Sequence, residues 1–176
     1  ALANNKTMQL TYGKTYLTGT ALTTGSNLII IGNGATLKTT SNIPIISITG
    51  DYNMIDNVRF LGNSTGATQR GISCIGVVGL TTYRISNMIN NCFFDSFGAD
   101  GIYGQYVVNV NHEPPMYIYN SIFKSCIGNG ALLDTRMEYC ILDGVAAYQC
   151  GTGFKFLGGN NNINAFSTTN NTLGIA

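Results

Sequence analysis

The chain has 176 residues, of which 44% are hydrophobic and only 10% are charged, and its formal charge is +1 at pH 7. It contains neither the cationic stripe that nucleic-acid binding requires nor an apolar run near the ~18 residues of a membrane span, so both classes are excluded. The 22 glycines and many neutral polar residues favour strands and turns, which excludes a helical bundle.

The cysteines and the histidine offer no site for a metal or cofactor. The five cysteines form no CxxC pair, and the single histidine, His112, precedes Glu-Pro-Pro in a loop-like segment. We therefore expect neither a disulfide scaffold nor a zinc site, and no cofactor. The cysteines are interpreted as small buried apolar side chains.

The first elements lie within residues 12–37. The chain reads Tyr-Gly-Lys-Thr-Tyr-Leu from Tyr12 and Ser-Asn-Leu-Ile-Ile-Ile-Gly-Asn-Gly-Ala-Thr-Leu from Ser26. This resembles the opening of the pectate-lyase-like superfamily of single-stranded right-handed parallel β-helices, especially the branch found in phage tailspikes and appendages. In that branch a Gly-x-Tyr strand leads into an Asn-apolar strand and a Gly-x-Gly-Ala-Thr turn.

A two-part unit recurs from residue 55 onward. Its first part is apolar-x-Asn-small-x-large apolar, and the copies are 55–60, 89–94, 118–123 and 137–142, the last with Tyr139 in place of Asn. Its second part is a Gly that opens a short apolar strand 10 or 14 positions after the Asn, at Gly71, Gly101, Gly130 and Gly153, with a weaker last copy at Asn164 and Gly174. Such internal recurrence is typical of repeat architectures.

The repeat predicts an all-β fold, a right-handed parallel β-helix. No single unit can bury its own apolar face, so successive coils must stack at ~4.8 Å and enclose a common core. The apolar residues at −2, +1 and +3 from the Asn do not share one period of two, so the strand must bend near the Asn, which tolerates the left-handed conformation. Phe60, Phe94 and Phe123 should then form one interior column. An antiparallel sandwich or barrel would also show many short strands, but it does not explain a two-part unit.

One domain is expected over residues 1–176, with first coils in 1–40 and repeated coils in 41–176. Members of the superfamily usually begin with an aspartate-rich segment and a short helix, of which only residues 1–5 could be the end. The last residues, 173–176, stop within a coil. We therefore expect a fragment of a longer protein, since an open solenoid end exposes strand edges and core.

The resemblance covers nearly the whole chain, and it implies a function at the surface of a host cell. Tailspike relatives are typically homotrimers that bind, and often cleave, host surface polysaccharide. The resemblance thus implies a polysaccharide partner, a homotrimer, and a location in the virion tail or otherwise outside the cell. An outward apolar stripe of Phe93, Ile122 and Ile141 also indicates an oligomer.

The candidate catalytic residues are aspartates. Aligning the copies at the Asn position places Asp95, Lys124 and Asp143 in one outward column, with the carboxylates ~9.6 Å apart at ~4.8 Å per coil. This is near the upper end of the ~6.5–9.5 Å used by inverting glycosidases, with Lys124 positioned to bind substrate. The alternative is a solvated charge ladder contributing ~0–1 kcal/mol per exposed pair.

Other candidates lie near the same surface. Asp100 and Asp134 are further catalytic candidates, although both also suit turns. Outward Tyr103 and Tyr119 can stack on sugar rings and donate hydrogen bonds, or pack against a neighbouring subunit instead.

Three functions stay open at this point. The first is a tailspike-type domain that binds host glycan, with or without depolymerising it as a glycoside hydrolase or a polysaccharide lyase. The second is a non-catalytic structural or adhesive solenoid, which the small number of acids favours. The third is a free polyuronate lyase, which would need a Lys or Arg base beside a carboxylate cluster. The arginines, at positions 59, 70, 84 and 136, are scattered and no tight acidic cluster accompanies them.

Overall fold

A computed structural model describes residues 5–76, 87–106, 115–135 and 137–176. Within these residues every regular element is a β-strand, and all strand pairs are parallel. Two sheets are formed, one of twelve strands and one of seven. The predicted all-β class with parallel strands is confirmed, whereas the handedness and closure of a solenoid stay a prediction. No helix in the described part of the chain is long and apolar enough to cross a membrane.

The twelve-stranded sheet has two arms, which β4 and β6 join because each runs through both. The first arm consists of β1 (Thr7–Gln9), the first halves of β4 (Ile29–Lys38) and β6 (Met54–Leu61), β8 (Asn87–Asn90), β11 (Met116–Tyr119), β14 (Ile141–Asp143) and β17 (Asn162–Asn164). The second arm consists of β2 (Thr15–Leu17), the second halves of β4 and β6, β9 (Phe93–Asp95), β12 (Ile122–Lys124), β15 (Ala146–Tyr148) and β18 (Ser167–Thr169).

The seven-stranded sheet completes each pass of the chain. Its strands are β3 (Leu22–Thr24), β5 (Pro44–Ile48), β7 (Arg70–Gly76), β10 (Ile102–Tyr106), β13 (Asn129–Leu133), β16 (Thr152–Phe156) and β19 (Leu173–Ile175). We call a pass the segment that supplies one stretch of strand to the first arm, one to the second arm and one to this sheet. Successive passes stack in parallel, which explains why one motif recurs at intervals along the sequence.

Left-handed residues mark the corner between the two arms. Asn57, Asn91 and Asn120 have φ of 55°, 51° and 47° there, as their motif predicts. A residue in this conformation shifts the alternation of side chains by one, so that residues at −2, +1 and +3 all point into the core. In β4 the same corner is wider, because Asn33 and Gly34 both have positive φ and the register shifts between Ile31 and Ala35.

The fourth motif copy was aligned wrongly. Asp143 pairs with Tyr119, so the corner between the arms in that pass is Gly144, with φ of 64°. Tyr139 is also left-handed, with φ of 55°, but it precedes the first arm, at a different corner. Several corners of each pass require positive φ, so an isolated motif does not reveal which corner it represents.

Polar side chains near the corners accept backbone N–H groups from the neighbouring pass. Asn53 Oδ1 accepts the backbone N–H of Leu28 at 3.0 Å, and Asn87 Oδ1 accepts that of Asn53 at 3.0 Å. The hydroxyl of Ser121 accepts the N–H of Cys92 in the same way at 3.1 Å. These side chains satisfy backbone donors that the bends remove from the regular strand pairing.

The core contains a column of stacked phenylalanines. Phe60 and Phe94 have ring centroids 4.8 Å apart and an interplanar angle of 5°, and Phe94 and Phe123 have 4.9 Å and 9°. All three rings are fully buried, so the predicted column is confirmed. In the next pass Ala147 follows Phe123 in register, and Phe154 from the opposite sheet meets the Phe123 ring edge-on at 5.9 Å.

A column of glycines faces these rings from the seven-stranded sheet. A Cβ at Gly101 would lie 2.6 Å from the Phe123 ring and 2.7 Å from the carbonyl oxygen of Gly130, and a Cβ at Gly130 would lie 2.5 Å from that of Gly153. The rings and the neighbouring backbone therefore occupy the space that a side chain would need. This explains why each unit carries Gly at the start of its apolar strand.

We predict that Gly101→Ala destabilises the protein by about 1–3 kcal/mol, because the added methyl group meets a fixed backbone oxygen and a packed ring. Thermal or chemical unfolding measures the change. Gly19→Ala is the matched control, since nothing lies within 4 Å of a Cβ there. Equal stabilities of the two variants would contradict the packing described.

Candidate functional site

The structure places the predicted site residues on three different faces. Asp95 and Lys124 are register partners on the second arm, and Tyr119 and Asp143 are register partners on the first arm. Asp100, Tyr103 and Asp134 lie on and beside the seven-stranded sheet. The predicted residues therefore do not form one common site.

The predicted column of Asp95, Lys124 and Asp143 is wrong in its last member. The register partner of Lys124 in the following pass is Tyr148. Asp143 lies instead on the first arm, because Gly144 and not Tyr139 forms the corner between the arms. The carboxylate pair proposed for an inverting glycosidase thus loses the stacking on which its spacing was calculated.

The Asp95 carboxylate makes its contacts with residues on or next to the second arm. Its Oδ2 lies 3.3 Å from Nη2 of Arg59, and its Oδ1 accepts a hydrogen bond from the Ser96 hydroxyl at 2.9 Å. The Arg59 guanidinium also lies 5.3 Å from the centre of the Phe93 ring. Half of the Arg59 side chain is exposed, so solvent screens this ion pair and its contribution to stability is small.

The most connected cluster lies on the seven-stranded sheet around Arg70. Its Nε donates to Asp100 Oδ2 at 3.0 Å, and its guanidinium lies 4.1 Å from the centre of the Tyr103 ring. Asp100 Oδ1 accepts from the backbone N–H of Asn129 at 3.0 Å and from its amide at 2.7 Å. The buried Asp100 carboxylate therefore has partners on both oxygens.

Tyr103 continues this cluster to Asp134. The Tyr103 hydroxyl donates to Asp134 Oδ2 at 3.1 Å, while Oδ1 of Asp134 accepts from the backbone and hydroxyl of Thr135. Burial, followed by the hydrogen bond to the Asp134 carboxylate, raises the pKa of Tyr103 to about 12. The Arg70 guanidinium covers one face of the Tyr103 ring. Arg70 and Tyr103 therefore stabilise the surface of the sheet and leave that face of the ring closed to a ligand.

A row of polar side chains runs along the first arm, and we call it the first-arm row. Its members, in register order, are Asp56, Asn90, Tyr119, Asp143 and Asn164. Successive members are one strand spacing apart, ~4.8 Å. The row therefore extends along the direction in which the passes stack.

The two carboxylates of the first-arm row differ in their hydrogen bonding. Asp56 Oδ1 accepts from the amides of Asn90 at 2.8 Å and Asn91 at 3.3 Å. Asp143, in contrast, makes no side-chain hydrogen bond or ion pair with any residue in the described ranges. Its carboxylate keeps its full capacity to accept hydrogen bonds from a ligand.

An apolar column flanks the first-arm row on the same outward face. Its members are Ile29, Met54, Met88, Tyr117 and Ile141. The rings of Tyr117 and Tyr119 connect the two columns, with centroids 6.2 Å apart and planes tilted by 50°. Ile141 belongs to this column, whereas Phe93 and Ile122 are partners on the second arm, so the predicted stripe of all three is wrong.

Two ion pairs occur among the described residues, Arg59 with Asp95 and Arg70 with Asp100. The carboxylates of the first-arm row belong to neither. The same residues contain no group of three or more His, Cys, Asp or Glu side chains that could hold a metal ion. His112, Arg84 and Arg136 lie outside the described residues.

Sequence reasoning missed three residues of these faces. Arg70 was noted only as a scattered cation, yet it connects Asp100 to Tyr103. Asp56 and Asn90 stood inside motif copies that were interpreted as structural, although each immediately precedes a corner asparagine. The strand register reveals that these residues form a row, because Asp56, Asn90 and Tyr119 occupy the position before the corner in successive passes.

Comparisons with known proteins give one structural likeness of interest. No family model and no curated protein matches the chain. Six chains among the solved structures match, including one described as ORF18 of Geobacillus virus E2. That alignment covers 94% of this chain and 52% of the viral one, at 11% identity and a TM-score of 0.28. The present chain thus spans about half the length of that protein, and a likeness of this size carries no argument about function.

We predict that Tyr103 ionises well above free tyrosine, and that the fold weakens as it does so. Because its pKa is about 12 in the folded chain and 10.0 is the ordinary value, the unfolded chain releases this proton first. The stabilising contribution is complete below pH 10 and declines between about pH 10 and 12. Unfolding of Tyr103→Phe and of the unchanged protein, measured across this range, should show a smaller decline for the variant. Equal declines would contradict the assignment.

Proposed function

We propose that the chain is a right-handed parallel β-helix domain of the tailspike and appendage kind, and that its first-arm row binds host cell-surface polysaccharide. The observation that carries the proposal is the half-buried Tyr119 beside the unsatisfied carboxylate of Asp143, one strand spacing apart in an extended row. The proposed location is the virion tail or another extracellular setting.

The first-arm face has the mixed character that a sugar polymer requires. A pyranose ring has apolar C–H faces and a rim of hydroxyl groups. Aromatic side chains such as Tyr117 and Tyr119 offer apolar area together with a hydroxyl, and carboxylates and amides accept or donate to sugar hydroxyls. A row with a repeat of ~4.8 Å along the stacking direction suits an elongated polymer better than a compact ligand.

Unsatisfied hydrogen-bonding capacity favours this face over the other two. A ligand gains little from a carboxylate that is already saturated, since it must first displace an existing partner. Asp95, Asp100 and Asp134 all have such partners, whereas Asp143 has none in the described residues. Lys124 remains a candidate for a second contact on the adjacent arm.

The charge of the row favours a neutral or amino-sugar polymer. Asp56 and Asp143 bring negative charge to this face, and neither belongs to an ion pair within the described ranges. Anionic sugars would meet like charge, which opposes binding. A free polyuronate lyase is therefore the least favoured of the functions that the sequence left open.

No observation comparable to the pairing of Tyr119 with Asp143 supports cleavage of the polymer. Glycosidases use two carboxyl groups about 5–9.5 Å apart, and none of Asp95, Asp100, Asp134 and Asp143 is a register partner of another. We propose binding without cleavage as the activity of the first arm. Incubation with polymer and measurement of new reducing ends or unsaturated product tests this, and release of either product would establish a depolymerase.

We predict that Tyr119→Ala weakens polysaccharide binding about tenfold, equivalent to ~1.4 kcal/mol, because stacking area and a hydroxyl are lost together. Binding to dextran, chitin oligosaccharides and polygalacturonate is measured by calorimetry or on a glycan array. Tyr148→Ala is the matched control, since Tyr148 is an outward, half-buried tyrosine on the second arm. Equal losses in both variants, or none in either, would count against the first arm as the site.

We further propose a homotrimer that associates through the second arm. Phe93 and Ile122 are outward register partners there, and Ile122 and Leu17 are 37% and 70% exposed. Removing such apolar surface from water stabilises an assembly.

The oligomer is tested by mass in solution. We predict a trimer for the unchanged chain and a smaller species for Ile122→Asp, because a charge at the contact opposes burial. Ile127→Asp is the control, since Ile127 is 63% exposed but follows the strand instead of lying on the arm. A monomeric unchanged chain in light scattering would contradict the proposal.

A further inference from the structure

Two cysteines are stacked directly on one another in successive passes. Lys124 and Tyr148 are register partners, and Cys126 and Cys150 each follow two residues later. Backbone bonds continue the pairing, from Ser125 N–H to Tyr148 O at 3.0 Å and from Gly151 N–H to Cys126 O at 3.0 Å. The two cysteines therefore occupy equivalent positions in neighbouring passes.

Both cysteine side chains are buried in the core. Cys126 is fully buried and Cys150 is 3% exposed. The two side chains interact directly, since each has the largest effect on the pKa of the other. Neighbouring strands lie ~4.8 Å apart, within the ~4.4–6.8 Å Cα separation that a disulfide accepts. The register of these passes therefore meets the Cα-separation requirement for a disulfide between Cys126 and Cys150.

The environment makes one thiol the better nucleophile. Hydrogen bonds from the thiol and the backbone N–H of Cys126 lower the pKa of Cys150 against the opposing effect of burial. The same hydrogen bond to Cys150, together with burial, raises the pKa of Cys126. Because the thiolate is the nucleophilic form, Cys150 is the residue that attacks an oxidant first.

The other cysteines have different register partners. Cys92 stacks on Ser121, Cys140 follows Met116 in its column, and Cys74 lies between Ile48 and Gly104. Burial raises the pKa of Cys92 to about 12, which keeps it in the thiol form. Among the described residues, one pair of cysteines is arranged for reaction.

We propose that Cys126 and Cys150 are an oxidative modification site that closes into an intrachain disulfide joining two neighbouring passes when the folded protein meets a peroxide. The Cys150 thiolate attacks one oxygen of hydrogen peroxide, so the O–O bond breaks, hydroxide leaves and Cys150 becomes a sulfenic acid. The Cys126 sulfur then attacks the Cys150 sulfur. The S–O bond breaks, and the oxygen leaves as water with the thiol proton of Cys126. Two thiols are oxidised as one peroxide is reduced.

The bond would fasten passes that are otherwise held by hydrogen bonds and packing alone. Closing the loop between the two cysteines restricts the unfolded chain, and we expect a rise in Tm of roughly 5–10 °C. Reduction with dithiothreitol should reverse the shift.

The test treats the folded chain with hydrogen peroxide, unfolds it and alkylates it with iodoacetamide. We expect three of the five cysteines to be alkylated, a mass lower by two hydrogen atoms before alkylation, and a cross-link between tryptic peptides 125–136 and 137–155. Fragmentation must assign the second sulfur to Cys150, because Cys140 lies on the same peptide. Five alkylated cysteines, or a cross-link through Cys140, would overturn the proposal.

Two variants provide the controls. Cys92→Ser should keep the cross-link and the Tm shift, since Cys92 has no cysteine neighbour in register. Cys150→Ser should keep four alkylated cysteines with and without peroxide. If Cys150→Ser fails to fold, the peptide map of the unchanged chain decides alone. A cross-link that survives in Cys150→Ser would show that other cysteines are the reactive ones.

Discussion

The positive φ at the corners is the constraint on which the rest of this structure depends. A strand with strict alternation sends every second side chain outward, so it cannot keep one apolar side through a bend. A left-handed residue shifts the alternation by one and lets Ile118, Ser121 and Phe123 all face inward around Asn120. The same shift determines which residues face outward. The corners thus fix the core and the candidate binding faces together.

Repeated corners also explain what the sequence could and could not reveal. The three Asn copies share one register, so the phenylalanine column and the glycine column followed from them. Tyr139 misled the alignment because it has nearly the same φ as Asn120 but belongs to another corner. A motif of six residues shows that the chain bends, but it does not show which corner of the pass the bend forms. The pairing of distant strands identifies that corner.

The outward faces were less predictable than the core for a physical reason. Interior positions must be apolar and of fitting size, so they leave a periodic trace in the sequence, whereas outward positions tolerate many residues. Arg70 reaches both Asp100 and Tyr103 only because neighbouring passes bring them within a side-chain length. Asp143 differs from Asp100 in its surroundings and not in its type. Only the register separates a saturated carboxylate from one that is open to a ligand.

Several of the cysteines directly follow a left-handed corner, so the bending of the backbone bears on their chemistry. Asn53, Ser121 and Cys140 each follow a left-handed corner and accept an N–H from the neighbouring pass, with different atoms. A cysteine after a corner therefore does more than fill apolar space. Its sulfur is a weak hydrogen-bond acceptor that is also small and apolar enough to be buried. Cys126 and Cys150 follow left-handed corners, Ser125 and Gln149, in successive passes, so the register makes them neighbours. The reactivity proposed for the two cysteines is thus a consequence of where the corners place them.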